Sequence, residues 1–297
     1  MVKASSDGSS EIAQTLAAGV IHRVIAVGDG TGIELVDIDR QLSAARVAIA
    51  VDSTERVTGI AGPVARAFTP RDWLARTGAL VAVNGGYFGD ETADGRKEVV
   101  GLLVTRGCVR RPAGWLTGRG GVGLAPALYT RSAFGLVGPS RPSIAWVVSG
   151  PVGSGKVYSV PSPTQSLALR KQTASRWPVR SAIGCGPMLI WNGKTVVTDR
   201  QERLASPGAE PRTFIAYDRH WPQPDHVVVG IASEIAYSDI ASFLQHYFKS
   251  YDRARAGAAM CLDGGASTQF SYRSGGVVNA ARDTGVAVPD AVVVLPG

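Results

Sequence analysis

The stretch Gly150-Pro-Val-Gly-Ser-Gly-Lys156-Val157 decides the fold class. It fits the phosphate-loop pattern G-x-x-x-x-G-K, which would make this a nucleotide-binding α/β protein. Such a loop needs a strand before it, a helix after it and a hydroxyl behind the lysine for Mg²⁺. Ile144–Val148 can supply the strand, but Val157 has no hydroxyl. The next residues, "VYSVPSP", carry Pro161 and Pro163 among β-branched valines, which disfavours a helix. The stretch is therefore read as a hairpin turn between two strands, and the chemistry is sought elsewhere.

Composition agrees with a strand-rich, loop-rich chain. There are 36 glycines in 297 residues, and few long helical patterns. A hydrophobic content of 45% can bury a sizeable core. The net charge, 31 − 24 = +7, biases encounters toward anionic partners. The basic residues are scattered, with no Lys/Arg tract and no aromatic-basic ladder, so nucleic acid is not an expected partner. No apolar run approaches the ~20 residues of a membrane span. Residues 1–20 read as a polar N-terminal tail of the kind that follows a removed leader, and 21–297 as one domain. A secreted or cell-envelope location follows if a leader was removed, and a cytoplasmic one otherwise. Cys108, Cys185 and Cys261 are odd in number and lack metal-ligand spacing, so they read as small buried hydrophobes.

Two segments share an order of elements. "TPRDWLARTG" predicts a short helix, with Thr69 as N-cap, Pro70 at the first helical position, Asp72 closing a capping box and Gly78 as the stop. "ALVAV" (Ala79 to Val83) follows as a buried strand and ends at "NGGYF". Later, "SDIASFLQHYFKSY" places Ile240, Phe243, Leu244, Tyr247 and Phe248 on one helical face, with Ser238 as the expected cap. "AAMCL" (Ala258 to Leu262) is then a buried strand ending at "DGGAST". Further strands are expected at Ile33 to Asp39, Arg46 to Asp52 and the closing "DAVVVLPG". Arg106 to Arg180 reads as short strands and long loops.

Familiar catalytic motifs are absent. There is no H-E-x-x-H, G-x-S-x-G or C-x-x-C, and His22, His220, His226 and His246 are dispersed. No cofactor is expected and no metal-ligand motif is found; use of a metal is left open. What stands out are the two glycine corners. Asn84 is followed by Gly85 and Gly86; Asp263 is followed by Gly264, Gly265 and then Ser267. Paired glycines permit positive φ and close backbone approach, so their N–H groups can face a ligand. The same pattern also suits two tight turns that cap themselves. Arg212, in "EPRTFIAYD", precedes an apparent strand.

Taken in order, "VNGGYF", "GLLVTRG", "AIGCGPMLIWNGK", "EPRTFIAYD" and "CLDGGAST" resemble the phosphodiester glycosidase family. The resemblance runs from about Ile21 to Leu295. It implies an α+β fold built largely from sheet, a single domain with a few packed helices. It also implies hydrolysis of a sugar-1-phosphodiester to free sugar and a phosphate monoester, the substrate being an anionic small molecule or glycan. A non-catalytic sugar-phosphate or envelope-polysaccharide binding module on the same fold is the alternative. Phosphate leaves readily, so the usual pair of glycosidase carboxylates is not required. Asp263 is the expected catalytic carboxylate. Glu202, where family members often carry a Glu, is the second choice and Glu98 a third. Arg212 suits the phosphate because its planar fork can grip two oxygens. Asn84, Gly85, Gly86, Thr213, Gly264, Gly265 and Ser267 complete the expected substrate contacts. Three departures stand out: Ala266 replaces a third glycine, Phe214-Ile215-Ala216 replaces small-Ile-Gly, and Arg282 is an uncertain match to a C-terminal arginine. Cys185 and Cys261 both fall in motif segments, and a disulfide between them is an open expectation.

Overall fold

The structure, a computed structural model, describes residues 2–4, 10–27, 31–60, 62–113, 130–164, 173–204, 208–220, 224–251 and 255–297. Parts of the N-terminal tail and of the Gly/Pro/Ser-rich middle lie outside them.

Arg141–Ser149 and Val157–Val160 are strands, paired antiparallel with Ser149 opposite Val157. Between them Gly150 N–H donates to Lys156 O and Ser154 N–H to Pro151 O, and Gly153 takes a positive φ of 83°. The glycine-rich stretch is thus a hairpin connection, and the strand Val157–Val160 follows it directly.

Strand outweighs helix by 53% to 10%, so the α+β expectation resolves to a mostly-β fold, with two α-helices among the described residues. Three large antiparallel sheets share one core. The nine-stranded sheet contains Gly32–Asp39, His226–Ile235, Glu210–Asp218, Ala256–Cys261 and Met188–Trp191 as consecutive neighbours. The five-stranded sheet runs Val277–Arg282, Phe270–Ser274, Val81–Asn84, Asp290–Leu295 and Arg46–Val51. The seven-stranded sheet is centred on Val179–Cys185 and Arg131–Val137. Ile215, Val229 and Met260 from the first sheet meet Val81, Val83 and Val292 from the second and Phe134 and Ile183 from the third.

Each helix covers the outer face of a sheet. The alternation of side chains along a strand decides what it covers. Phe214 and Ala216 point to the helix Tyr237–Tyr251, against Ile240, Leu244 and Phe248, while Ile215 points to the shared core. This is how Phe214-Ile215-Ala216 is tolerated. Phe214 pairs across the ladder with Gly230, where an added Cβ would lie 2.8 Å from the Phe214 ring. On the five-stranded sheet, Ala82, Ala291 and Val293 pack under Trp73 and Leu74 of Pro70–Thr77.

Both helices are where expected, with one difference in capping. Thr69 and Asp72 form the reciprocal capping box, and Gly78 ends the helix in the left-handed region at φ 67°. Ser238 is not a cap: the helix begins at Tyr237, so Ser238 lies in its first turn. Part of the expected N-terminal tail joins a sheet. Ser10–Ala17 is a strand paired with Val20–Ala26 near one edge of the nine-stranded sheet, with Glu11 turned inward beside Arg23 and Ile12 outward. Cys108, Cys185 and Cys261 are free thiols, so the Cys185–Cys261 disulfide is not formed. No helix among the described residues is long and apolar enough to cross a membrane.

Replacing Thr69 by Ala removes the acceptor for the Asp72 N–H, and should lower unfolding free energy by about 1 kcal/mol in chemical denaturation.

Candidate active site

The two glycine corners meet directly. Val81–Asn84 ends at the first corner and Ala256–Cys261 runs to the second. Asn84 Nδ2 donates to the Asp263 carbonyl at 2.7 Å, and the Asp263 N–H donates to Gly85 O at 3.0 Å. Asn84 Oδ1 accepts from Thr213 Oγ1 at 2.7 Å and from the Gln269 N–H at 3.1 Å. Asn84 is 0% exposed. It therefore ties strand ends from two sheets together and does not face a substrate; Thr213, equally buried, serves it.

Gly85 and Gly86 are also internal, and neither has a positive φ. Close approach is what requires glycine here. A Cβ at Gly85 would lie 2.0 Å from Asp290 Oδ1, and one at Gly86 2.9 Å from Gly184 O. Their N–H groups donate to Asp290, Gly85 to its carbonyl and Gly86 to Oδ1. Only Gly265, at φ 60°, uses the left-handed region.

Asp263, Gly264 and Gly265 line a cleft of about 450 Å³. Asp263 is half-buried. Burial pushes its carboxyl up to about 6, opposed by hydrogen bonds from Ser267 and from the Gly264 N–H at 3.0 Å. Arg212 faces the same cleft but is only 4% exposed. Its Nη1 donates to Tyr237 Oη at 2.9 Å and lies 3.4 Å from Glu210 Oε2; its Nη2 donates to Gly208 O at 2.8 Å. The fork expected to grip phosphate is already braced by protein on several sides. The second corner lies against the strand that carries Arg212 at Gly264, where a Cβ would sit a tight 3.1 Å from Pro211 O.

Glu202 is placed differently from its expected catalytic role. It is 0% exposed and accepts five hydrogen bonds: from Ser132 N–H and Oγ, Trp146 Nε1, Met188 N–H and Thr198 Oγ1. Four of these donors crowd Oε1 and one meets Oε2, and the group is closed to solvent, so a substrate cannot reach it as the side chain stands. What it does is hold two chain segments, Arg131–Ser132 and Glu202–Arg203. Arg131 and Arg203 both line the cleft. Glu98, the third choice, is buried in Arg96–Val99 near Arg111 and does not line it. Arg282 braces the second corner from below, donating through Nε to Thr268 O at 3.0 Å.

Sequence reasoning missed Arg131, Arg203, Tyr87, Tyr237 and Asp290. Tyr87 stands inside the quoted "NGGYF", and its hydroxyl donates to Gly186 O at 2.7 Å. The Arg131 guanidinium lies 5.6 Å from its ring centre. Nothing local marks the two arginines. Asp290 had one signal, a lone acid heading the apolar run "AVVVL". One trio among the described residues, Asp218, His220 and Asp225, brings potential metal-ligand atoms within 4.8 Å of one another. Asp218 and His220 border a second cavity of about 520 Å³, and none of the three lines the Asp263 cleft.

The fold and cleft define a mostly-β protein whose cleft sets two carboxylates, Asp263 and Glu210, among three guanidiniums. Residues 77–295 match the phosphodiester glycosidase family, and the chain belongs to it. No curated protein matches the sequence significantly. Among solved structures, the chain resembles the zebrafish N-acetylglucosamine-1-phosphodiester α-N-acetylglucosaminidase catalytic domain auto-inhibited by its pro-peptide. The TM-score is 0.54 at 13% identity, covering 97% of this chain and 88% of that one. A Burkholderia pseudomallei protein described as exported gives a TM-score of 0.59 at 13% identity, over 97% and 96% of the two chains. A hypothetical protein from Synechocystis gives 0.52 at 15%, over 93% of this chain and 62% of that one. Identities this low establish a shared fold.

Asn84→Ala would leave Thr213 Oγ1, the Gln269 N–H and the Asp263 carbonyl without their partner. It should destabilise the protein by roughly 3 kcal/mol or more, read as a lowered urea midpoint.

Proposed function

We propose that the protein hydrolyses a sugar-1-phosphodiester at the anomeric C–O bond, releasing free sugar and a phosphate monoester. The observation that carries this is the half-buried Asp263 in a cleft with Arg131, Arg203 and Arg212. The family assignment points the same way.

The chemistry follows from the charges. The leaving group departs with the bonding electrons as a phosphate monoester anion, and water supplies the anomeric hydroxyl. The cleft arginines favour the substrate's phosphate and the charge it gains on leaving. Arg212 is held rigidly by Tyr237 and Gly208, which preorganises it. Because phosphate needs little protonation to leave, Asp263 acts ionised, as charge stabiliser of the oxocarbenium-like centre or as base toward water. A carboxyl raised to about 6 by burial is still mostly ionised at neutral pH and is a stronger base than an exposed aspartate. Ser267 orients it.

The test is a panel of sugar-phosphodiesters, nucleotide sugars included, assayed for released reducing sugar. Release supports hydrolysis; saturable binding without release supports a binding module instead. Asp263→Asn should lower turnover by ~10²–10⁴ with an unchanged thermal melt. A folded Asn variant with full turnover would remove Asp263 from the mechanism. Since the ionised form is the active one, kcat/KM should fall as pH drops through about 6. Arg212→Lys should not restore activity, because an ammonium lacks the fork that Tyr237 and Gly208 brace.

A further inference from the structure

Asp290 begins the last strand, Asp290–Leu295, and is 1% exposed. The next residue, Ala291, pairs with Asn84, so the Asp290 carboxyl lies directly behind the first glycine corner. Its Oδ1 accepts the Gly86 N–H at 2.7 Å and its carbonyl accepts the Gly85 N–H at 3.1 Å. Gly85 O accepts the Asp263 N–H in turn. A single buried acid therefore grips both N–H groups of the corner that holds the Asp263 backbone. Its second oxygen, Oδ2, is buried without a hydrogen-bond partner. Packing alone does not call for an acid there, since an apolar side chain would avoid burying that oxygen.

We propose that Asp290 is a positioning residue for the reacting carboxylate: it clamps the Gly85–Gly86 corner that carries Asp263, and its charge sets the pH at which Asp263 ionises. The inference rests on the reading of Asp263 as the reacting group. Burial, reinforced by the negative charge of Asp263 and opposed by the Gly86 N–H, pushes Asp290 up to about 6. Asp263 lies at about the same value. Burial is the first cause for both, and since repulsion between two carboxylates acts on each of them, they are expected to titrate as a pair.

The charges that act on this pair come from the cleft side. Asp290 faces Val51 on one neighbouring strand and Asn84 and the glycines on the other, all uncharged. Tyr87 and Cys185 also feel the charge of Asp263, and burial holds both neutral. The charged groups on the cleft side are Arg131, Arg203, Arg212 and Glu210, which face Asp263 from solvent.

The experiment is a ¹³C-carboxyl NMR titration of aspartate-labelled full-length protein, run alongside the pH profile of kcat/KM. Asp290→Asn keeps an oxygen for the Gly86 N–H and removes the charge. The Asp263 midpoint should move to lower pH by roughly 1 pH unit, and the acidic limb of the rate profile should move with it. Asp290→Ala removes the clamp too, and should lower kcat more than Asp290→Asn does. A reciprocal measurement guards against misfolding of the buried-site variants: in Asp263→Asn, the Asp290 midpoint should also fall. An Asp263 midpoint unmoved in folded Asp290→Asn, or an Asp290 midpoint unmoved in Asp263→Asn, overturns the proposal. Coupled midpoints in a protein that releases no sugar would support the coupling and count against the proposed reaction.

Discussion

The structure depends on a cross-brace between two strand ends. Asn84 reaches from the five-stranded sheet to the Asp263 carbonyl, and the Asp263 N–H returns to Gly85 O. Two chain ends that leave their sheets in the interior expose peptide groups where no water can meet them. Each corner supplies what the other lacks. Pairing them fixes the position of Asp263 relative to Arg212, because Leu262 N–H also donates to Thr213 O on the strand that carries the arginine. The seven-stranded sheet joins at the same place: Cys261 N–H donates to Pro187 O, and Tyr87 Oη to Gly186 O. The cleft is where three sheets end.

Three aspartate or glutamate side chains around this junction show how environment assigns roles to the same functional group. Glu202 has five donors and no solvent, and acts as a strut. Asp290 has one side-chain donor and an unpartnered oxygen. Asp263 has donors on its protein side and a cleft in front of it. Only the last combines an accessible lone pair with a proton affinity suited to chemistry near neutral pH. A buried, fully bonded acid and a catalytic one look alike in a sequence, since both are single polar letters beside apolar runs. Glu202, singled out by its place in the family pattern, carries no mark in the sequence of its burial.

The glycines divide in the same way. Gly78 and Gly265 need glycine for backbone conformation. Gly85 and Gly86 need it because Asp290 and Gly184 come too close for any side chain. The N–H groups of Gly85 and Gly86 therefore serve the interior, and the guanidiniums lining the cleft come from distant strands and turns.

The sequence by itself determined the local elements: the hairpin at Gly150–Lys156, the capped helix after Thr69, the apolar face of the second helix and the strands leading to Asn84 and Asp263. These are set by short-range rules of φ preference, capping and side-chain period, which a linear string carries in full. It also determined the family through five ordered motifs. Only the tertiary structure decided that Asn84 and Thr213 brace the cleft from inside, that Glu202 is sealed, that Arg131 and Arg203 join Arg212, and that Asp290 stands behind the first corner. Those facts depend on burial and on contacts between residues such as Gly86 and Asp290, 204 positions apart. Desolvation and hydrogen-bond partners fix what a carboxylate or guanidinium does, and both are properties of the folded neighbourhood rather than of the chain.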